Sequence, residues 1–129
     1  MRCTPDTWAR ARRGARADRS GRDAEAIARD LLRAEGWTIL AERARTPAGE
    51  LDLIAEREGL LVFVEVKARL SFREAAFALT PRQQSRLQAA AAIWLAAHPG
   101  HGAAGMRFDV ILVAADGAAR RITDALRAG

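Results

Sequence analysis

Residues 50–67 constrain the fold more than any other part of the chain. Two runs, Glu50 to Arg57 and Leu60 to Lys67, flank the turn dipeptide Glu58-Gly59. The first puts Leu51 and Leu53 on one face and Glu50, Asp52 and Ile54 on the other, and the second is rich in β-branched and aromatic residues, so both read as strands. Together they make a hairpin. If its loop holds an even number of residues, Asp52 faces Glu65 and Glu50 faces Lys67. Strands alternate their side chains with a period of two, so Glu50 and Asp52 share one face, as do Glu65 and Lys67. Four ionisable groups are then expected on a single face at the open end of the hairpin.

The remaining elements can be placed around this hairpin. Ser20, with Asp23 three residues later, marks a helix start. Ala24, Ile27, Ala28 and Leu31 form one face, and Gly36 ends a helix predicted over about residues 22–35. Trp37 to Ala44 reads as a first strand, closed by the turn Thr46-Pro47-Ala48-Gly49. Arg69 to Leu79 is an irregular link. Thr80-Pro81-Arg82-Gln83 then combines a threonine N-cap, a proline at the first helical position and a capping glutamine. Leu87, Ala90, Ala91 and Trp94 are the buried stripe of that helix, which Pro99-Gly100 stops. Met106 to Ala114 is nearly continuous in apolar character and reads as a central strand. After the turn at Asp116-Gly117, the tail is read as a short fifth strand and a last helical turn. The order is α-β-β-β-α-β, an α/β arrangement with a mixed central sheet flanked by helices.

Composition narrows the function classes. A chain of 129 residues fits one domain. No apolar run approaches the ~18 residues of a spanning helix, and the arginine-dotted N-terminus lacks a signal-peptide core. The single cysteine, Cys3, excludes an internal disulfide framework and a cysteine-based zinc site. A cytoplasmic location is expected. The net charge is +5, but residues 1–20 hold six arginines and two aspartates. The basic excess therefore belongs to an N-terminal segment, read as a mobile basic arm over residues 1–20, and the domain of residues 21–129 is nearly neutral. Lys67 is the sole lysine among 21 basic residues, and lysine differs from arginine in having a pKa that shifts on burial.

Facing carboxylates repel, so Asp52 and Glu65 call for compensation. A hard divalent cation supplies it: magnesium needs only one or two carboxylates, completed by water and substrate phosphate. Lys67, on the same face as Glu65, could hold or deprotonate an attacking water, or stabilise charge developing on phosphate. Arg69 could contact phosphate or neutralise Glu65. The alternative is a solvated strand end on which Glu50 and Lys67 form an ordinary cross-strand salt bridge. His98 and His101 are read as loop residues, because no third ligand lies near them. Asp109, inside an apolar strand, is read as a buried, hydrogen-bonded structural aspartate.

The segments Gly49-Glu50-Leu51-Asp52-Leu53-Ile54 and Val62-Phe63-Val64-Glu65-Val66-Lys67-Ala68-Arg69 resemble the signature of the YraN family of small bacterial proteins. The likeness spans roughly residues 22–122 and takes in the Gln84/Leu87 helix and the Arg107-Phe108-Asp109-Val110 strand. It implies a restriction-endonuclease-like fold within the PD-(D/E)xK nuclease superfamily, similar in core layout to Holliday-junction resolvases. Carried over residue by residue, it implies that Asp52 and Glu65 ligate Mg2+ or Mn2+ and that Lys67 is the catalytic lysine. Glu25 matches the helix-one glutamate of the resolvase-like branch, and a helical wheel puts it at the margin of the buried stripe. Gln84 falls where related nucleases place a glutamine, which with Arg69 gives the expected nucleic-acid contacts. Leu51 stands where the superfamily motif has its proline.

The expected function is metal-dependent hydrolysis of phosphodiester bonds in nucleic acid, DNA rather than RNA, with branched DNA a candidate substrate. The resemblance implies 5′-phosphate and 3′-hydroxyl products. No membrane partner is expected, and a homodimer would suit the two symmetric strands of a junction. A protein that binds nucleic acid or acts as a scaffold without catalysis is the alternative, and the near-neutral domain body speaks for it.

Overall fold

A computed structural model of the chain describes residues 13–69 and 79–126. Most of the basic arm, Cys3 within it, and most of the link after Arg69 lie outside those residues. The elements run α1 (Arg13–Ala34), β1 (Thr38–Thr46), β2 (Gly49–Arg57), β3 (Leu60–Arg69), α2 (Pro81–Ala97), β4 (Gly105–Ala114) and β5 (Ala119–Ile122). The predicted order holds, and so does the short fifth strand. Helix α1 is the exception, because it begins at Arg13 and not near residue 22. The stretch from Arg13 to Arg19 has no apolar period, but alanine and arginine are strong helix formers and prolong the helix without one. Ser20 is therefore an interior residue and not a cap. At the other end Gly36, with φ +93°, closes the helix as expected. The amides of Gly36 and Trp37 donate to the carbonyls of Arg33 and Leu32, a Schellman arrangement that satisfies two end carbonyls.

The five strands lie in the order β1-β2-β3-β4-β5. The β3–β4 pair is parallel, and α2 supplies the crossover; the other pairs are antiparallel. Pairing in the hairpin runs from Arg57–Leu60 to Leu53–Val64, the register that an even loop dictates. Helix α1 covers one face of the sheet, with Ala24, Ala28 and Leu32 packed on Leu53, Ala55, Val62, Val64 and Ile111. The small alanines let the helix approach closely. Helix α2 covers the other face, with Leu87, Ala90, Ala91 and Trp94 against Ile54, Leu61, Phe63 and Leu112. Phe63 stacks on Phe108 at 5.4 Å and meets Trp94 edge-on at 6.0 Å. Strand β3 is therefore sealed on both faces over Leu61–Val64. It forms a rigid beam whose far end carries Glu65 and Lys67.

The start of α2 follows the sequence closely. Thr80 Oγ1 accepts from the Gln83 amide at 3.1 Å, and Gln83 Oε1 accepts from the Thr80 amide at 2.8 Å. Thr80→Ala removes one side of this box, and urea unfolding should show a loss of about 1 kcal/mol. The histidines of the 98–102 loop are tied in more than a plain loop requires. The His98 ring stacks 3.9 Å from Trp94, and His101 Nδ1 lies 2.8 Å from Glu56 Oε1. Glu56 Oε2 also accepts from the Gly102 amide at 2.8 Å. These two bonds to Glu56 hold its pKa below the ordinary value, the backbone one most strongly. Among the described residues, no helix is long and apolar enough to cross a membrane.

Candidate active site

The hairpin ladder stops at Leu53–Val64, where the sequence begins to place charges. One step further, the Val66 amide donates to Asp52 Oδ2 at 2.9 Å. The aspartate side chain has taken the place of a ladder carbonyl, so its carboxylate lies in the gap between β2 and β3. Strict alternation predicts something different, with Asp52 and Glu65 on one face. The alternation breaks here: Leu51 packs with the α2 cluster, although Leu53, two residues on, packs with the α1 cluster. Asp52 sits at that break. Its carboxylate stays beside β3, but the four groups do not share one flat face.

Glu65 lies across the gap and is 6% exposed. It follows Leu61 and Phe63 on the α2 side of β3. Its Oε2 is 3.2 Å from Lys67 Nζ and 3.6 Å from Arg86 Nη2 of α2. Glu25 comes from α1 and pairs with Arg43 Nε at 3.1 Å. Arg43 has φ +53°, a left-handed backbone that is unusual for arginine. It sits between Glu42 and Ala44, which pair with Leu53 and Leu51, and so opposite Asp52. Glu50 pairs with Arg45 at 3.7 Å.

These surroundings push the Asp52 carboxyl up to about 7. Burial is the main cause, and the neighbouring Glu65 charge is second. The Val66 hydrogen bond acts in the opposite direction, and Glu25 and Glu50 add smaller upward contributions. Four carboxylates therefore converge electrostatically on one place. Three of them have an arginine or lysine partner, whereas Asp52 has none among the described residues.

Asp52 and Glu65 are two neighbouring carboxylates whose charges act on each other. No group of three or more His, Cys, Asp or Glu among the described residues forms a ready-made metal cage. Two hard oxygen donors still suit magnesium or manganese when water and phosphate complete the shell. A carboxylate disfavoured as an anion by its surroundings gains most from such a cation.

The two expected nucleic-acid contacts each have a partner in the fold. Arg69 Nη1 donates to the Ala68 carbonyl at 2.9 Å, and Gln84 Nε2 donates to the Leu79 carbonyl at 2.9 Å. Arg43 and Arg86 were not anticipated. Nothing in the β1 pattern marks a left-handed arginine. Arg86 is adjacent to the buried stripe residue Leu87, but its reach to Glu65 depends on tertiary packing. Asp109 is the buried structural aspartate anticipated, with Arg107 Nε and Nη2 on its two oxygens at 2.9 Å.

Residues 24–113 match the family model described as uncharacterised protein family UPF0102. A UPF0102 protein of Granulibacter bethesdensis is 56% identical over 115 residues, which cover 89% of this chain and 73% of the relative. One from Bradyrhizobium is 59% identical over 98 residues, 76% of this chain and 70% of the relative. Another, from Rhodopseudomonas palustris, is 51% identical over 112 residues, 87% of this chain and 86% of the relative. The matched region contains every residue of the candidate site, from Glu25 on α1 to Arg86 on α2. On these matches, the chain belongs to the UPF0102 family.

Proposed function

We propose that this protein is a Mg2+- or Mn2+-dependent endonuclease of the restriction-endonuclease-like superfamily, similar to Holliday-junction resolvases and acting on DNA in the cytoplasm. One observation carries the reading. Asp52 is a half-buried carboxylate with no partner cation among the described residues, and its neighbour Glu65 pairs with the chain's only lysine. A bound divalent ion would polarise the scissile phosphate and lower the pKa of a water molecule. Asp52 and Glu65 would hold the ion. The Val66 amide fixes one Asp52 oxygen, which leaves the other available as a ligand. Lys67, held at 3.2 Å from Glu65, orients the attacking water or stabilises charge on the phosphate. Glu25 adds negative potential from α1 while Arg43 holds it in place. Arg69 and Gln84 would contact the backbone phosphates of the nucleic acid. A homodimer would offer two such sites to the paired strands of a branched substrate.

One observation favours a non-catalytic protein that binds nucleic acid: Glu65 already carries Lys67 and Arg86. Manganese-dependent cleavage of duplex, branched and single-stranded DNA separates the two readings. Wild type should cleave at least one of these, and Lys67→Met should slow that cleavage by about 10²–10⁴-fold. A wild type that cleaves none of them refutes the catalytic reading.

A further inference from the structure

We infer that Arg86 is an exchangeable counter-charge of the site: it neutralises Glu65 in the metal-free protein and moves onto a substrate phosphate once a divalent cation takes its place. This inference rests on the metal-site reading above.

The contact itself is loose. Arg86 Nη2 stands 3.6 Å from Glu65 Oε2, beyond hydrogen-bond range, whereas Lys67 holds the same oxygen at 3.2 Å. The arginine side chain is 42% exposed, and among the described residues it has no other ion pair. Little therefore restrains the guanidinium. Its stem, however, has a built track. Gly49 ends the turn between β1 and β2 with φ +145°, and a Cβ there would stand 2.9 Å from Arg86 Cγ and Cδ. A side chain at Gly49 would press on the arginine stem where it lies across this turn. The sequence thus brings a long cation to the mouth of the site without locking its head.

The exchange follows from charge. A divalent ion on Glu65 repels a guanidinium a few ångströms away. The displaced head stays tethered at the mouth, where the substrate's phosphates must arrive, and its planar fork matches phosphate oxygens. Arg86 is therefore expected to act in opposite directions on the two ligands. It competes with the metal and assists the nucleic acid. An arginine that merely supports the fold would not produce opposite signs.

Two titrations of the full chain test this. In calorimetry with Mn2+, Arg86→Gln should bind the metal about 2- to 5-fold more tightly than wild type. Arg86→Lys, which keeps the charge, should remain close to wild type. In anisotropy titrations of a short DNA duplex with calcium present, Arg86→Gln should bind more weakly, and the slope of log affinity against log salt should fall by about one. Unchanged or weaker metal binding in Arg86→Gln, a lysine variant that behaves like glutamine, or an unchanged salt slope each overturns the exchange. Wild type binding manganese, with that binding abolished in Glu65→Gln, leaves the metal-site reading standing in any of those cases. A wild type that takes up no manganese removes that reading and this inference with it.

Discussion

In metal-free buffer at about pH 8, Asp52→Asn should be more stable than wild type by on the order of 2–4 kcal/mol. The folded protein holds the Asp52 proton up to about pH 7, whereas the unfolded chain releases it near 3.8. Between those values the folded state binds more protons than the unfolded state, so stability falls as pH rises, and the loss is complete above about 7. Asparagine has no charge to lose, and its carbonyl can still accept from the Val66 amide. The advantage of the variant should therefore shrink as pH falls and vanish near pH 4. Urea unfolding of both proteins across this range measures it. An asparagine variant that is less stable than wild type at every pH would show that Asp52 does not sit in a repulsive, buried place.

Asp109→Ala should have the opposite effect, a loss of about 3–5 kcal/mol at neutral pH. Asp109 is 2% exposed and accepts from Nε and Nη2 of Arg107, one on each carboxylate oxygen. It also accepts from the Asp124 amide at 3.0 Å, and Arg121 Nε lies 4.0 Å from its second oxygen. Truncation leaves Arg107 without its bidentate partner and removes the second of Arg121's two anions, the first being Glu35. It also frees the segment after β5, which the Asp124 bond and the Ala125 amide to the Phe108 carbonyl hold against β4. The measurement is the urea midpoint together with amide exchange in residues 122–126. A shift below about 1 kcal/mol, with those amides still protected, would mean that the network is dispensable.

Local chemistry made the frame of this molecule readable. The hairpin register follows from the two-residue turn at Glu58-Gly59, and the α2 start follows from Thr80, Pro81 and Gln83. The apolar run of β4 announced an interior strand. The start of α1 was hidden because its first turns rely on alanine and arginine propensity, without an apolar stripe. The approximate meeting of Asp52 with Glu65 was also legible, because register alone brings them together. Its detail was not. The Asp52 carboxylate replaces a ladder carbonyl because β2 breaks its alternation between Leu51 and Leu53, and no residue pattern marks that break. Arg43 and Arg86 escaped notice for a related reason. One depends on a left-handed backbone within a strand, and the other on a helix separated by a long link from the strand it serves.

Thermal unfolding of wild type and Asp52→Asn at about pH 8, each with chelator and with millimolar manganese, addresses the shared metal ion most directly. Manganese should raise the melting temperature of wild type, because a ligand that binds only the folded state stabilises it by mass action. It should leave Asp52→Asn where the chelator left it. Equal shifts in the two proteins, or no shift in wild type, would contradict a divalent cation held between Asp52 and Glu65.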